Sequence, residues 1–235
     1  QAMSFKEKYQ YGASRVSIES FCSGDATIKH GDKKTNPTVR VVGIDENYMN
    51  TSAYEIIAGR NFTNNEIMAT ANKVIIGSEI VQSLFQDKPE KAIGKDLYIN
   101  SDKYMIVGAL KSKGSNSGGS NDRRVFIPLY NSKVQYGYAD KSYNVTVAVA
   151  QPNEMEDAIN HAISIMRNVR KLKVSEENDF ELRKSDGILN QLKEMTSTLR
   201  WSTVVIAMLT LLGASIGLMN IMLVSVTERT KEIGV

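Results

Sequence analysis

One stretch near the end of the chain limits every reading of it. WSTVVIAMLTLLGASIGLMNIMLVSVT, Trp201 to Thr227, contains no Asp, Glu, Lys, Arg or His. About 27 uncharged, mostly apolar residues exceed the roughly 20 that cross the hydrocarbon core of a bilayer as a helix. Arg200 closes one side, Glu228, Arg229 and Lys231 close the other, and Trp201 stands where an interfacial aromatic anchor would. A buried helix inside a soluble protein is the plainer reading, but such helices are usually shorter and keep a polar face. The position near the C-terminus excludes a cleaved signal peptide. Gly213 and Gly217 form a G-x-x-x-G face on which a second helix could approach, because helix interfaces in lipid are built from small residues. Lysine and arginine counts on the two sides are too similar to set the orientation.

Without the apolar stretch, about 200 residues of ordinary soluble composition remain, enough for one moderate domain or two small ones. The net charge of +3 is modest and the basic residues are interspersed with acids. Nothing beyond that bulk charge favours nucleic acid as a partner. The lone cysteine, Cys22, excludes an internal disulfide and carries no argument for thiol chemistry.

Along the soluble part, Ser14–Cys22 and Asp25–His30 alternate polar and apolar around Ser23-Gly24 and read as a hairpin. Thr38–Ile44 is a third strand. Residues 45–59 are mixed and contain a short helical turn. The Lys73–Ile76 run ends at Gly77, and Ser78 caps a helix through Phe85 whose apolar face is Ile80, Val81, Leu84 and Phe85. Leu97–Asn100 and Lys103–Leu110 flank a hairpin turn at Ser101-Asp102. Residues 111–122, rich in Gly, Ser and Asn, read as a mobile loop. Val125–Leu129 is a short strand in which Pro128 marks an edge or an end.

Tyr143–Ala150 is the clearest strand and Glu154–Leu172 the clearest soluble helix. The expected stripe of that helix is Met155, Ala158, Ile159, Ala162, Ile163, Met166 and Val169. Its acids lie in the first turns and its bases at the end, which suits the helix dipole. Phe180–Arg183 offers a returning strand, which would make a βαβ-like unit completed by the early strands. Asp186 caps the next helix, and Ile188, Leu189, Leu192, Met195 and Leu199 keep a helical stripe up to Trp201. Helix and membrane stretch therefore read as one rod.

Catalytic constellations are not evident. His30 and His161 lack partners at metal-ligand spacing, no phosphate-binding glycine-lysine motif occurs, and the acids Glu154, Glu156 and Asp157 are accounted for by the dipole of their helix. No G-x-S-x-G or Cys-His signature appears. No cofactor, metal or catalytic residue is assigned, and the chain is not expected to be an enzyme itself.

The C-terminal GASIGLMNIMLVSVTERTKEIGV closely resembles the second transmembrane helix and the start of the coupling helix in MacB-type ABC transporter permeases, a family that includes FtsX and lipoprotein-releasing relatives. Asn220, Ile221, Met222, Ser225, Thr227, Glu228, Arg229, Glu232, Ile233 and Gly234 stand in that pattern. Upstream, VVGIDENYMNTSAYEIIAGRNF, with its Tyr and its Gly-Arg-x-Phe, is similar to a family segment. KVIIGSEIVQSLF, AIGKDLYINSDKYMIVGAL and VFIPL follow in the family's order.

The resemblance implies an α+β fold in which a Porter-like βαβ domain (1–49 and 140–185) is interrupted by a Sabre-like α/β insertion (50–139). A stalk helix (186–200), a transmembrane helix (201–227) and the start of a cytoplasmic coupling helix (228–235) follow. It further implies that one membrane helix precedes Gln1 and two follow Val235, so that the chain is a piece of a longer polypeptide. Glu228, Arg229, Thr230, Glu232, Ile233 and Gly234 would then face an ABC ATPase, separate or fused, that hydrolyses the ATP. Gly213, Gly217 and Asn220 would pack against a second permease subunit. The implied location is the cell inner membrane, with the soluble domain periplasmic and available to an adaptor or other envelope protein. The implied mechanism is mechanotransmission, serving export, lipoprotein release or envelope regulation. The rival class is a single-span, membrane-anchored sensor or partner-binding module, and a third, an envelope hydrolase, lacks the motifs it would need.

Overall fold

Val41-Val42, Val74-Ile75-Ile76, Ile106-Val107 and Val125-Phe126-Ile127 are apolar runs without alternation, the pattern of strands covered on both faces. The computed structural model describes residues 1–113, 122–138, 141–184 and 187–233, with 187–194 and 230–233 described by backbone alone. The chain divides into two units, Gln1–Glu177 and Asn178–Val235.

The first unit begins with helix α1 (Ala2–Lys8), then β1 (Arg15–Ala26), β2 (Ile28–His30), β3 (Lys33–Lys34), β4 (Val39–Ile44), α2 (Tyr48–Thr51) and β5 (Ile56–Gly59). It continues through α3 (Asn64–Met68), β6 (Lys73–Ile76), α4 (Ser78–Phe85), α5 (Pro89–Ala92), β7 (Asp96–Ile99) and β8 (Asp102–Leu110). β9 (Arg124–Pro128), α6 (Leu129–Tyr136), β10 (Asn144–Ala148) and, after one 3-10 turn, α7 (Met155–Arg170) complete it.

The strands form a mixed sheet in the order β10-β1-β4-β9-β6-β8-β7-β2-β3, with β5 added to β8. β4 pairs parallel with β9, and β6 parallel with β8; the other pairings are antiparallel. Side chains alternate across this sheet, so neighbours in one run enter different cores. Val41, Val74, Ile76, Ile106, Val125 and Ile127 join α4 in one cluster, while Val42, Ile75, Val107 and Phe126 join Tyr48 and Met49 of α2 in the other. A third cluster sets Phe5 and Tyr9 of α1 and Val16 of β1 against α7.

Two glycines allow close approach. A Cβ on Gly43 would stand 2.0 Å from Ser132 Oγ, so its absence lets α6 lie on β4. Gly59 has φ +78°, and a Cβ there would meet Val107 O at 2.2 Å, where β5 joins β8. Only glycine takes that backbone region without steric cost.

Several expectations need correction. Ser23-Gly24 makes no hairpin turn: β1 runs through it, and its register against β4 shifts on either side of Ser23. A bulge absorbs the irregular residues there and the strand continues. The partners of β2 are β3 and β7, not β1. Gly77, not Ser78, occupies the N-cap of α4. Among the described residues no strand forms at Phe180–Arg183, and β10 closes its end of the sheet against β1. The packed stripe of α7 is Ala158, Ala162, Ile165, Met166 and Val169. That rotates the expected stripe toward Ile165 and away from Ile159 and Ile163, because α1 and β10 cover only one side of the helix. Pro128 marks a strand end, and its strand is internal to the sheet.

The second unit is dominated by one helix, α8 (Gly187–Ile233), of 47 residues. At 1.5 Å per residue it extends about 70 Å. The expected cap Asp186 and residues 114–121 of the glycine-rich loop lie outside the described residues.

Candidate functional site

The residues singled out for function in the sequence converge on α8. Between Met195 and Arg229 it holds an 18-residue window of mean hydropathy 2.2, and none of that window is buried by the rest of the chain. An apolar helix left bare is explained by a lipid environment, whereas the core helix of a soluble protein is covered. Four of its hydroxyls bond back to the helix's own carbonyls: Ser202 donates to Thr198 O at 2.9 Å, Thr203 to Leu199 O at 2.9 Å, Thr210 to Ile206 O at 3.0 Å, and Thr227 to Val224 O at 2.8 Å. A hydrophobic surround demands that economy, since it offers polar groups no water.

Gly213, Gly217 and Asn220 fall at i, i+4 and i+7, hence on one face. A Cβ built at either glycine meets nothing within 4 Å, which leaves a shallow open groove beside an exposed carboxamide. Glu228 and Arg229 are exposed where the apolar stretch ends, and the helical backbone continues through Thr230 and Glu232 to Ile233. Gly234 lies outside the described residues.

In the first unit the two histidines are far apart in role. His30 Nδ1 lies 2.7 Å from Asp96 O and its ring packs on Phe85, while His161 sits between Tyr9 and Tyr11. Among the described residues no three His, Cys, Asp or Glu side chains stand together as a metal site. Burial pushes the Cys22 thiol up, against the pull of Lys141 at 3.9 Å.

Sequence reasoning missed the strongest charge cluster. Lys6 Nζ, on α1, lies 2.5 Å from Asp45 Oδ2 and 2.6 Å from Glu46 Oε1 at the end of β4. Asp45 is 1% exposed, and among the described residues its Oδ1 has no hydrogen-bond partner. Burial holds its carboxyl above the usual range, although Lys6 opposes the shift. Burial also works against the charge on Lys6, but hydrogen bonds to Asp45 and Glu46 outweigh it and hold the ammonium above its ordinary value. The partners are separated by 39 and 40 residues, so no local pattern announces them. Beside this cluster, Asn61 Nδ2 donates to Glu46 O at 2.9 Å and Arg60 forks onto Glu66 with both contacts at 2.7 Å. The Gly-Arg-x-Phe run thus has structural work to do: Gly59 for the β5–β8 approach, Arg60 for the cap of α3, and buried Phe62 for the core.

Residues 6–164 match the family described as the MacB-like periplasmic core domain. A macrolide export ATP-binding/permease protein MacB of Marinobacter nauticus is 31% identical over 185 residues, covering 77% of this chain and 27% of that protein. The ABC transporter permease YknZ of Bacillus subtilis is 30% identical over 207 residues, covering 88% of this chain and 50% of that one. The chain therefore spans roughly a quarter to a half of the length of these relatives. Among solved structures, the periplasmic region of MacB from Actinobacillus actinomycetemcomitans superposes with a TM-score of 0.64 at 16% identity, over 81% of this chain and 82% of that one. The extracellular domain of YknZ from Gram-positive bacteria gives 0.51 at 20% identity, over 66% and 76%. At such identities the structural likeness concerns the fold, which is α+β in all of them.

Proposed function

We propose, since this chain belongs to the MacB-like periplasmic core domain family, that it supplies the extracytoplasmic head and one membrane helix of an ABC transporter permease subunit, and that α8 carries ATP-driven motion between them. The observation that carries this reading is the continuity of α8. It contains the bare apolar stretch and has helical residues on both sides of it, without a break. The 35 residues from Met195 to Arg229 extend about 52 Å, well beyond a hydrocarbon core of about 30 Å. A helix held by successive i→i−4 hydrogen bonds moves as a body, so a displacement imposed at one end arrives at the other.

In this reading Glu228, Arg229, Thr230, Glu232, Ile233 and Gly234 begin the segment that docks on an ABC ATPase, fused or separate. Gly213, Gly217 and Asn220 form the face toward a second permease subunit. Each glycine costs about 1 kcal/mol of helix propensity relative to alanine, a cost offset when a partner helix packs into the groove. An intramembrane Asn is similarly expensive unless it finds a partner across such an interface. The head divides into Porter-like parts (1–49, 140–185) around a Sabre-like insertion (50–139) and lies outside the inner membrane, accessible to an adaptor or envelope protein. The work done is export, lipoprotein release or envelope regulation, and the fold does not choose among them.

The test uses the full-length protein with its ATPase in lipid. With Cys22→Ser as background, Leu199→Cys is introduced at an exposed position of α8, and the rate of disulfide formation between subunits is followed with and without ATP. A nucleotide-dependent change of several-fold is expected. A rate that ignores nucleotide at Leu199 and at neighbouring positions one turn away overturns the mechanism and leaves a membrane-anchored binding module.

A further inference from the structure

Register across four strands of the sheet lines up a set of residues that no local motif unites. Lys34 of β3 pairs with Lys29 of β2, Lys29 pairs with Tyr98 of β7, and Tyr98 pairs with Lys103 of β8. Directly paired residues share a face. With strands about 4.8 Å apart, the row Lys34-Lys29-Tyr98-Lys103 spans about 14 Å. The next row on the same face holds Asp96, Met105 and Lys73, since Met105 pairs with Asp96 on one side and Lys73 on the other.

This face is open. Tyr98 is 43% and Met105 39% exposed, and Lys29, Lys34 and Lys103 are exposed as well. The opposite face at the same strands is core: Ile28, Leu97, Ile99, Tyr104 and Ile106 are buried. Lys103 Nζ pairs with Asp96 at 2.9 Å and Lys73 Nζ lies 3.1 Å from Met105 Sδ. Four lysines and one aspartate therefore surround a Tyr-Met centre.

Lysines on a short edge strand ordinarily guard it against pairing with other chains. That accounts for Lys33 and Lys34 of β3. It does not account for Lys29 and Lys103, which lie on internal strands, or for a tyrosine and a methionine left bare between them. Tyr and Met are enriched at interface centres, with charges at the rim that steer and orient the partner.

We propose that this face is a docking site for a protein partner that presents a cluster of Asp and Glu side chains around an apolar contact. The placement of Asp96 favours a protein over an anionic bilayer. A uniform negative surface matches the lysines but has nothing to set against the Asp96–Lys103 pair or the bare Tyr-Met centre, whereas a protein can place an apolar contact on that centre, a neutral or basic group opposite Asp96 and acids opposite the lysines. The inference stands on the sheet face alone and does not depend on motion of α8.

The experiment places the photo-crosslinking residue p-benzoylphenylalanine at Tyr98 of the full-length protein in the cells that make it. A control carries it at Val134, an exposed residue of α6. Irradiation at Tyr98 is expected to give a discrete protein adduct whose crosslinked peptide lies beside several acids. The adduct should fall at least tenfold in Lys29→Glu/Lys34→Glu, fall less in Lys29→Gln/Lys34→Gln, and return when the partner's acids are changed to lysine in the Glu background. The Gln pair separates loss of charge from loss of fold, because both positions are exposed and tolerate a neutral side chain. No protein adduct beyond that at Val134, an adduct with lipid only, or a protein adduct indifferent to both pairs of substitutions would each overturn the proposal.

Discussion

Lys6→Met should remove the counter-charge of a buried carboxylate while keeping the length and most of the packing of the side chain. Lys6 Nζ is the cation at 2.5 Å from Asp45, whose side chain is 2% exposed and whose second oxygen has no hydrogen-bond partner among the described residues. Breaking a buried pair by removing one member costs about 3–5 kcal/mol when the remaining charge persists. Protonation sets a ceiling: a carboxyl with an ordinary pKa near 3.9 takes up a proton at pH 7 for about 4 kcal/mol, at 1.36 kcal/mol per unit. The expected loss is therefore about 3–4 kcal/mol at pH 7. The sign of its pH dependence follows from the direction of the shift. Burial raises the Asp45 carboxyl, and removing Lys6 raises it further. A carboxyl raised on folding costs nothing below its unfolded value and progressively more as pH rises through its folded value. The loss should accordingly shrink by about 1.4 kcal/mol per unit as pH is lowered toward 4. The assay is denaturant unfolding of the solubilised chain followed by tyrosine near-UV circular dichroism, since the single tryptophan, Trp201, lies in the apolar stretch of α8. Lys6→Met/Asp45→Asn should recover to within about 1.5 kcal/mol of the parent, because no buried charge remains. A loss below about 1 kcal/mol for the single variant, or one that does not shrink on acidification, would refute the argument.

Gly43→Ala should cost about 1–3 kcal/mol by overpacking against α6. Its Cβ would stand 2.0 Å from Ser132 Oγ and 2.3 Å from Ser132 Cβ. Combined with Ser132→Gly it should prove more stable than the two single losses added together, and strict additivity in thermal unfolding would count against the contact. Hydrogen bonds from Arg60 hold Glu66 down to about 2 from an ordinary 4.5. Its contribution is present above 4.5 and lost as pH falls toward 2; in acid unfolding, Arg60→Met should remove that part of the dependence. In lipid, Gly213→Leu/Gly217→Leu should lower energy transfer between labelled subunits several-fold by filling the groove, while the same substitutions on the opposite face of α8 should not.

What could be read in the sequence was what short-range periodicity encodes. The absence of charge from Trp201 to Thr227 and the unbroken apolar spacing before it correspond to one helix, Gly187–Ile233. The four-residue spacing of Ile80, Val81, Leu84 and Phe85 marks the buried face of α4, and β7 alternates between buried and exposed residues. The path of β1 through Ser23-Gly24 was not legible, because a polar pair that suits a turn also suits a bulge, and only the register against β4 decides. Which side of α7 is covered depended on where α1 and β10 lie: Ile163 and Ile165 are both partly buried, but Ile165 packs against the Phe5-Tyr9-Val16 cluster. The same holds for the site residues. Gly213, Gly217 and Asn220 share a face because helical spacing is local. By contrast, Lys6 meets Asp45, and Lys34, Lys29, Tyr98 and Lys103 form one row, only because the sheet brings distant strands into register. Elements follow from interactions a few residues apart; partnerships between elements follow from chain topology, which a single sequence does not state.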